Sequence, residues 1–468
     1  MRVVVSGAGL TGLTTAIAAG RAGHEVFVCE RDSHSAPPAV KAFDDWDRSG
    51  IAHFRQPHNF LALARKTLQA EAPDLLECLT AAGAGEVDQR VLLAAEARRP
   101  EDAELATIAC RRPVFEAVLR QMAASTLNVT ISSGVLVNGL VVDRRDGDVV
   151  VGGVRTSLGT IEADLVVDAS GRTSKMRSWL QAAGADLPER REQDCGIVYF
   201  SRHFRFRPGV DPPGGPYILG GPRGDLGYLA YAVFLGDERT FCVVLMIPAG
   251  DEDFKALRTS EGHQAVSSRI PGLSDWVHDD VAEPIGPPLF MGRLANTVQL
   301  LHGGTRAIRG IRPIGDALSH TNPTFAFGAS MAIQQGFSLG ALLGDHPDPF
   351  EVSEAFEATH GPDLVARFEA VSAEDRDRRR WWSGEAIDPT DPAQSMALAL
   401  RFVVYPAAGR DPEIFRAVAR RIGALDPVDA LTGRPDLIER ATAIRREALA
   451  KAPAAPPPAR DELAAALL

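Results

Sequence analysis

The N-terminal stretch MRVVVSGAGLTGLTTAIAAG, residues 1–20, decides the fold predicted for this chain. Its first part, Arg2–Ser6, is typical of a buried parallel strand, because three consecutive valines suit a strand covered on both faces. A glycine-rich turn of the form GxGxxG follows at once, and the small residues 14–22 then predict a helix. Residues 25–29 (EVFVC) predict a second strand. A strand, a glycine turn, a helix and a strand within about 30 residues predict a dinucleotide-binding unit.

Each position of the turn has a predicted role in holding a pyrophosphate. Gly7 permits the tight turn, Gly9 lets the backbone approach the phosphates, and Gly12 lets the helix pack against the strand. Leu10 and Thr11 belong to the turn that leads into the helix, whose free N–H groups and positive dipole end attract anions. A tight turn that binds no nucleotide is the alternative interpretation.

Glu30 stands at the end of the second predicted strand. An acidic side chain at this place accepts hydrogen bonds from a ribose, which favours the unphosphorylated ribose of FAD or NAD. The neighbouring Arg31 weakens that preference slightly, because an arginine there can accommodate a 2′-phosphate.

Two later segments favour FAD over NAD. Residues 161–169 (IEADLVVDA) predict one buried strand that ends in the motif DASGR, and its Asp168 suits a second contact with the cofactor. Residues 306–314 lead into the motif GDALSHTNP, whose Asp316 is predicted to accept hydrogen bonds from ribityl or ribose hydroxyls.

A helix of small residues opens at Gly328-Ala329-Ser330, after the second of these motifs. Its free N–H groups are predicted to face the N1–C2 carbonyl edge of a flavin. The helix dipole would there stabilise the negative charge of a reduced flavin.

The motifs GAGLTG, DASGR and GDALSHTNP, in this order, resemble those of the FAD-dependent class A flavoprotein monooxygenases, a family of aromatic hydroxylases and epoxidases. The resemblance covers residues 1–345 and implies an α/β fold. A Rossmann-like FAD-binding domain of the glutathione-reductase type would carry an inserted antiparallel β-sheet substrate domain and C-terminal helices. The implied boundaries are 1–190 and 301–345 for the discontinuous FAD-binding domain, 191–300 for the substrate-binding sheet, 346–450 for the helical region and 451–468 for a Pro/Ala-rich tail.

The segment CRRPVF, residues 110–115, resembles the family's arginine before a helix that runs beside the FAD. The resemblance implies that Arg112 contacts the pyrophosphate or the flavin-side ribose, with an exposed surface arginine as the alternative. His320 is interpreted as a structural hydrogen-bonding residue of its loop. No catalytic side chain and no metal site is predicted. The predicted cofactor contacts are Gly7, Gly9, Leu10, Thr11, Gly12, Glu30, Arg31, Arg112, Val137, Asp168, Asp316, Pro323, Gly328, Ala329 and Ser330.

The sequence departs from the family in two places. After Glu30 the family usually has a loop of arginine and glycine, whereas residues 33–50 do not align with it, and Arg55 is the candidate for the missing pyrophosphate arginine. The usual PxxGQG becomes PTFAFG, in which Ala326 and Phe327 replace a glycine and a glutamine. This replacement is expected to change the wall near the flavin pyrimidine edge.

Short alternating runs separated by turns, between residues 194 and 300, predict an antiparallel sheet. Alternate aromatic and polar side chains on these runs are expected to line a substrate pocket, with filling the core between the sheet and its helices, or facing solvent, as the alternative. They are Tyr199, Arg202, Phe204, Tyr228 and Tyr231.

The C-terminal part is predicted to be helical and charged. The run EDRDRRRWW, residues 374–382, is interpreted as a solvated helix that packs its tryptophan end, with a phosphate-binding patch as the alternative. The segment KAPAAPPPAR is predicted to be a poorly ordered or extended arm.

The resemblance implies a monooxygenase in which reduced FAD reacts with O2 to a C4a-hydroperoxide and one oxygen atom enters a hydrophobic, natural-product-like substrate. NAD(P)H or a partner flavin reductase would supply the electrons. An alkene reductase of the geranylgeranyl-reductase type shares the fold and is the main alternative. A halogenase is disfavoured because its W-x-W-x-I-P signature is absent, and an FAD-binding protein without catalysis also remains open.

Composition excludes other classes of function. The 468 residues carry a formal net charge of −11, which argues against general nucleic-acid binding and against attraction to an anionic membrane surface. The five cysteines form no CxxC pair, so neither a zinc site nor a disulfide framework is indicated, and a reducing cytoplasm fits them best. No stretch predicts a membrane span.

Overall fold

The computed structural model describes residues 1–304, 306–451 and 456–467. The strands are β1 (Arg2–Ser6), β2 (Glu25–Glu30), β3 (Gly85–Val87), β4 (Thr107–Ala109), β5 (Val129–Ser133), β6 (Val137–Arg145), β7 (Asp148–Thr156), β8 (Gly159–Glu162), β9 (Leu165–Asp168), β10 (Arg191–Asp194), β11 (Ile197–Phe206), β12 (Arg223–Asp225), β13 (Ala230–Leu235), β14 (Thr240–Pro248), β15 (Ala282–Met291), β16 (Ala295–Val298), β17 (Ile308–Arg309), β18 (Ile311–Pro313) and β19 (Ser319–His320).

The α-helices are α1 (Leu10–Arg21), α2 (Ala42–Asp45), α3 (Ala62–Glu71), α4 (Pro73–Ala81), α5 (Arg112–Ser125), α6 (Met176–Ala182), α7 (Ser260–Ser267), α8 (Phe327–Asp345), α9 (Pro349–Trp382), α10 (Met396–Ala399), α11 (Tyr405–Ala407), α12 (Pro412–Ile422), α13 (Pro435–Lys451) and α14 (Arg460–Ala465). A π-helical turn, Leu400–Val404, joins α10 to α11. Short 3₁₀ turns lie at Ala39–Lys41, Gln89–Leu92, Ala95–Ala97, Pro100–Leu105, Gly171–Thr173, Ile218–Gly220, Glu252–Arg258, Gly315–Ala317 and Pro323–Phe325.

A five-stranded parallel sheet in the order β18-β9-β1-β2-β5 forms the centre of the fold. Its middle strand β1 is buried on both faces, as the run of valines predicts, and Val3, Val4 and Val5 are fully inaccessible. Helix α1 begins at Leu10, four residues earlier than predicted, because Gly9 is already its N-cap.

Helices α1 and α8 approach each other so closely that α8 has no room for a side chain at its two contact points with α1. A Cβ at Gly336 would overlap Thr14, and a Cβ at Gly340 would overlap Ala18. The two glycines of α8 therefore bring this late helix onto the first helix of the chain. The chain segments around the two helix N-termini, which hold the first and last sequence motifs, are brought together as a result.

The single strand predicted over residues 161–169 is wrong, because the chain changes sheets there. Residues up to Glu162 belong to β8, which pairs antiparallel with β7, and β9 begins at Leu165 beside β1. Between them the carboxylate of Asp164 accepts a 2.7 Å hydrogen bond from the backbone N–H of Arg2, which fixes the change of direction.

The second large sheet is antiparallel, in the order β12-β13-β14-β11-β15. We call the face that carries Tyr199, Val244 and Met246 the front face, and the face that packs on Phe254 and Trp276 the rear face. Smaller sheets are β17-β7-β6 with β8, β10-β16-β19 and β3-β4.

Only one of the five side chains predicted to line a pocket in this region lies on the front face. Tyr199 does, while Phe204 is in the rear core, and Tyr228 and Tyr231 pack against that core. Arg202 also points to the rear, where its guanidinium donates to the carbonyl of Ser260. The alternation of strand residues accounts for this division, since Arg202 and Phe204 are out of phase with Tyr199.

The charged run in α9 is solvated on one side only: Arg376 and Arg380 are exposed, and the other side is buried, contrary to the sequence-based interpretation. Glu374, Asp375 and Arg378 are 6%, 0% and 2% exposed. The guanidinium of Arg401 binds the carboxylates of Glu374 and Asp225, and the indole of Trp382 donates to Asp225. The side of α9 that carries these buried residues, which we call its inner side, packs against the front face of the antiparallel sheet.

The segment of residues 451–460 is predicted to be poorly ordered or extended, and its residues 456–459 form neither helix nor strand before α14 begins at Arg460. Residues 452–455 and 468 lie outside the described part of the chain. Helix α14 packs on the rear core of the antiparallel sheet, where Leu463 is fully buried. The guanidinium of Arg460 binds Asp251 and Asp253, and the hydroxyl of Tyr228 donates to the carbonyl of Pro458.

Candidate cofactor and substrate site

The three glycines of the first motif have different surroundings. Gly7 has φ +105°, and a Cβ there would lie 2.6 Å from the carbonyl oxygen of Ala169. A Cβ at Gly12 would collide with the carbonyl of Gly7. At Gly9, by contrast, a Cβ would meet nothing closer than 3.9 Å, where Arg112 Nη2 and Ile51 Cδ1 lie. Gly7 and Gly12 are required by packing, and Gly9 leaves room beside an arginine.

Two helices begin in this region with uncapped N-termini. Helix α1 has Gly9 as its N-cap, and helix α8 has Ala326; neither cap makes a side-chain hydrogen bond, and neither first turn contains an acidic residue. The first N–H groups of such helices are left for another partner, and they attract anions and carbonyl oxygens.

The three sequence motifs meet at these helix ends. Gly7 packs against Ala169 and Ser170 of the middle motif, and a Cβ at Gly315 of the late motif would overlap Thr11. A Cβ at Gly328 would lie 4.0 Å from Asp316 Oδ1, so that this carboxylate stands beside the start of α8. No hydrogen bond to the Asp316 carboxylate is seen from residues 1–304, 306–451 or 456–467.

Arg112 is buried at the start of α5, contrary to the alternative of an exposed surface arginine. Its Nε donates to Glu116 Oε1 at 2.7 Å, and its Nη1 lies 3.2 Å from His58 Nε2. The remaining atom, Nη2, is the one beside Gly9. Helix α5 therefore aims a cation at the one open side of the glycine turn.

Arg48 is a site residue that the sequence reasoning missed. Its guanidinium donates to Glu30 Oε2 at 2.5 Å, to Glu116 Oε2 at 2.7 Å and to the carbonyl of Ala8 at 2.8 Å. Burial alone would lower the pKa of Arg48, but the carboxylates of Glu116 and Glu30 outweigh it and raise that pKa. The only signal in the sequence is the Arg-Ser-Gly of residues 48–50, in the segment that could not be aligned.

Arg55, the sequence-based candidate for the pyrophosphate arginine, is engaged elsewhere. Its Nε donates to the carbonyl of Phe43 and its Nη2 to that of Trp46, each at 2.9 Å. Arg55 thereby holds the segment that carries α2.

Glu30 faces the glycine turn as predicted for a ribose-binding acid, although its oxygens already have protein partners. Oε2 accepts from the N–H of Ala8 at 2.8 Å, and Oε1 accepts from the N–H of Asp32 at 2.9 Å. The neighbouring Arg31 is exposed and donates to the carbonyl of Gly50.

Val137, another predicted cofactor contact, is the first residue of β6, the strand that follows β5 in the chain.

Asp168 does not point towards the cofactor site. Its Oδ1 accepts from the N–H and the hydroxyl of Ser170, and its Oδ2 accepts from the hydroxyl of Ser174. Burial raises the pKa of this carboxyl, against the effect of these hydrogen bonds. Asp168 thus shapes the turn that supports Gly7, and the direct cofactor contact predicted for its side chain is replaced by this role.

The late loop is held by a buried polar network. The amide of Asn322 accepts from the hydroxyl of Tyr199 at 2.6 Å and donates to Asp375 of α9 at 2.7 Å. Pro323 follows in a 3₁₀ turn, and the hydroxyl of Ser330 accepts from the N–H of Leu61. The loop therefore joins the front face of the sheet to the start of α8.

The two replacements in the late motif have different surroundings. Ala326 has φ +56°, the left-handed conformation that a glycine adopts without strain. Phe327 is buried in the core, where the guanidinium of Arg367 lies 4.8 Å from its ring centre. Their expected effect on the wall near the pyrimidine edge stays a prediction.

Imidazoles surround Arg112 and the late motif. The rings of His53 and His58 stack at 5.8 Å, and burial, with the nearby Arg112, lowers the pKa of His58 to about 3. Burial also lowers the pKa of His53 well below its usual range and lowers that of His320, which neighbours Asp316. These rings are neutral at pH 7, so the positive charge on this side of the site belongs to arginines.

Comparisons with known proteins support the fold. No protein-family model matches the chain. Protein Rv3254 of Mycobacterium tuberculosis is 29% identical over 361 residues, which cover 73% of this chain and 72% of that protein.

Solved structures of flavin enzymes superpose on most of the chain. A flavoprotein/dehydrogenase from Cytophaga hutchinsonii matches with a TM-score of 0.63 and 16% identity, over 96% of this chain and all of that one. The flavin-dependent brominase Bmp2 matches with a TM-score of 0.57 and 17% identity, over 96% and 99%. The probable FAD-dependent monooxygenase PqsL of Pseudomonas aeruginosa matches with a TM-score of 0.57 and 16% identity, over 82% and 98%. The chain thus has the mixed α/β fold of FAD-dependent oxidoreductases.

Among the residues that the structure describes, no helix combines the length and the apolar character needed to cross a bilayer. Among the same residues no group of three or more His, Cys, Asp or Glu side chains is arranged to hold a metal ion.

Proposed function

We propose that the chain is an FAD-dependent monooxygenase that acts on a hydrophobic small molecule. The observation that carries the proposal is the convergence of the three motifs, in which Gly7 packs against Ala169 and Gly315 against Thr11. It groups the uncapped start of α1, the Nη2 of Arg112 beside Gly9, and the uncapped start of α8 beside Asp316. These donors suit a pyrophosphate at one end and a flavin carbonyl at the other. Reduced FAD, when bound, would supply the electrons that activate O2.

The residues of the chain have separate roles in this proposal. The N–H groups of Leu10 and Thr11 and the guanidinium of Arg112 bind the pyrophosphate. Asp316 accepts from hydroxyls of the ribityl chain, and the start of α8 lies at the pyrimidine edge. Arg48 holds Glu30 in its orientation beside the ribose.

The front face of the antiparallel sheet forms the substrate side. Tyr199, Val244 and Met246 are buried there, and the network through Asn322 fixes the late loop against them. An apolar wall of this kind excludes water from the reacting atoms. The domain boundaries given above, with the sheet of residues 191–300 inserted into the cofactor-binding unit, are part of this proposal.

The first experiment measures FAD content. Purified protein is expected to carry FAD with absorbance bands near 370 and 450 nm, and Asp316→Ala is expected to lose it while keeping the circular dichroism of the parent. Full flavin occupancy in Asp316→Ala would show that the cofactor residues are wrongly assigned.

The second experiment decides the reaction. The reduced protein is given ¹⁸O2 and a panel of apolar compounds, and a product heavier by one ¹⁸O atom is expected. Reduction of an alkene without O2, and no label in any product, would instead establish a reductase. NADH, NADPH and a separately supplied flavin reductase are compared as electron sources.

A further inference from the structure

Arg112 is held at two of its three guanidinium nitrogens. Nε donates to Glu116 Oε1 at 2.7 Å, and Nη1 lies 3.2 Å from His58 Nε2. Nη2 makes no hydrogen bond within the described part of the chain, and a Cβ at Gly9 would lie 3.9 Å from it. Because the guanidinium is planar and rigid, fixing two of its nitrogens also fixes the third. The direction of Nη2 is therefore set by Glu116 and His58.

His58 presents a lone pair to Arg112. Its Nδ1 lies 2.8 Å from the carbonyl oxygen of Gln56, so this nitrogen carries the proton and donates. Burial, with the nearby Arg112, lowers the pKa of His58 to about 3. The ring is neutral at pH 7, and its Nε2 accepts from Arg112 Nη1.

Glu116 is shared between two arginines and is fully buried. Its Oε1 accepts from Arg112, and its Oε2 accepts from Arg48 Nη1 at 2.7 Å. Arg48 is held in turn by the carboxylate of Glu30 and the carbonyl of Ala8. A carboxylate bound at both oxygens cannot rotate freely, so Glu116 gives Arg112 a fixed support.

We propose that Glu116 and His58 are positioning residues that hold Arg112 so that its Nη2 faces the pyrophosphate of the cofactor. This role rests on the proposed function for the identity of the cofactor, and it adds two residues that act through Arg112. Their own polar atoms are already engaged with the protein. ADP carries the diphosphate without the flavin and is therefore the probe for this role.

Charge and orientation predict opposite effects for Glu116→Gln. The carboxylate adds a negative charge near the expected place of the diphosphate, so the loss of that charge alone would tighten ADP binding. The amide, however, has one acceptor oxygen for two guanidiniums. If orientation decides the affinity, ADP binding becomes weaker.

The test measures ADP affinity by calorimetric titration of the full-length protein freed of FAD, at pH 7. Glu116→Gln is expected to weaken binding about tenfold or more, the scale of one hydrogen bond to a charged group. His58→Leu is expected to weaken it as well, whereas His58→Gln offers an oxygen to Arg112 Nη1 and should bind like the parent. Unchanged or tighter binding in Glu116→Gln would overturn the proposal.

A double-mutant cycle with Arg112→Met separates positioning from a purely structural role. If Glu116 acts through Arg112, Glu116→Gln should change ADP affinity less than about threefold once Arg112 is replaced. A loss by the same factor in both backgrounds would contradict the proposal. If Glu116→Gln does not fold, the comparison of His58→Leu with His58→Gln decides by the same criterion, and equal affinities there contradict the proposal.

Glu357→Gln is the matched control for the loss of a buried carboxylate. Glu357 lies on α9, is 8% exposed, and binds the guanidinium of Arg312 at 2.8 Å. This substitution should lower the melting temperature and leave ADP affinity at the parent's value. An equal loss of ADP affinity in Glu357→Gln and Glu116→Gln would show that the effect comes from stability and would overturn the proposal.

Flavin content is measured on the same proteins before FAD is removed. A parent protein that binds ADP but carries no FAD would refute the proposed function, and weaker ADP binding in Glu116→Gln would still support the positioning role. A parent protein that carries FAD, with a Glu116→Gln variant of equal ADP affinity, would refute the positioning role alone. A parent protein that binds neither nucleotide would overturn both.

Discussion

Asn322 Nδ2 donates to Asp375 Oδ1 across 2.7 Å and so ties the late loop of the site to the long C-terminal helix α9. The same carboxylate accepts from Asn296 at 2.8 Å and from Arg378 at 2.5 Å. All four side chains are buried. The loop that opens α8 is thus positioned by a helix outside the motifs that identify the fold.

Asp375→Asn is expected to destabilise the protein strongly, because it leaves the buried guanidinium of Arg378 without its carboxylate. Removing one partner of a buried ion pair costs about 3–5 kcal/mol of unfolding free energy. Urea denaturation measures the loss. Glu385→Gln, which removes the exposed pair with Arg380, is the matched carboxylate-to-amide control and should change stability by less than about 0.5 kcal/mol. Similar midpoints for the two variants would show that the network carries no stability.

Gly9→Ala and Gly12→Ala are expected to impair the protein in different ways, the first by losing FAD binding and the second by losing stability. A methyl group at Gly9 meets no atom within 3.9 Å, so the variant should fold with the parent's melting temperature and lose FAD. A methyl group at Gly12 collides with the carbonyl of Gly7, so the Gly12→Ala protein should be destabilised even without the cofactor. Thermal melts of the cofactor-free proteins and flavin absorbance after reconstitution separate the two effects. Gly344→Ala, with open space around it, is the control; if Gly9→Ala binds FAD like this control, the pyrophosphate does not lie there.

The folded protein is expected to lose stability as the pH falls from 6.5 towards 4. Burial lowers the pKa of His58 to about 3 and those of His203, His263 and His360 to about 4. Below pH 6.5 the unfolded chain takes up protons on these histidines that the folded chain does not. Each one therefore removes up to about 1.4 kcal/mol of stability per pH unit.

Urea denaturation at pH 7.0, 5.5 and 4.5 measures this slope. His360→Gln removes one of the four groups and should flatten it. Unchanged stability between pH 7.0 and 5.5 would mean that these imidazoles protonate inside the folded protein.

Leu463→Ala is expected to lower the free energy of unfolding by about 2–5 kcal/mol, the usual cost of emptying a fully buried leucine site. The side chain lies in the rear core although it comes from the last helix of the chain. Leu449→Ala, at a leucine that is 41% exposed on α13, is the matched control and should cost less than about 0.5 kcal/mol. Equal effects in chemical denaturation would show that α14 does not stay packed on the sheet in solution.

The glycine turn was predictable because its constraints are local: a strand, a turn and a helix within a short stretch leave few residues that fit Gly7 and Gly12. The role of Arg48 could not be predicted from the sequence, because its partners Glu30 and Glu116 are brought together only by tertiary folding. A charged residue in an unaligned loop looks the same in a sequence whether it is exposed or buried.

The burial of the inner side of α9 could not be predicted from the sequence for the same reason. Arg378 and Asp375, three residues apart, are typical of a solvated helix, and they are buried only because β16 and the late loop bring Asn296 and Asn322 to them. The packing of Leu463 was unpredictable for a related reason, since a proline-rich linker carries no information about the surface on which the following helix packs.

The contact between α1 and α8 has a consequence for the order in which the chain can fold during synthesis. The first helix is among the earliest segments to leave the ribosome, but the glycines that receive it, Gly336 and Gly340, are made much later. At about 5–20 residues per second, α1 waits roughly 20–70 s with one apolar side uncovered. The dinucleotide unit that opens the sequence is therefore completed only after Gly340 has been made. A nascent chain stopped before residue 340 would expose that helix to chaperones and proteases.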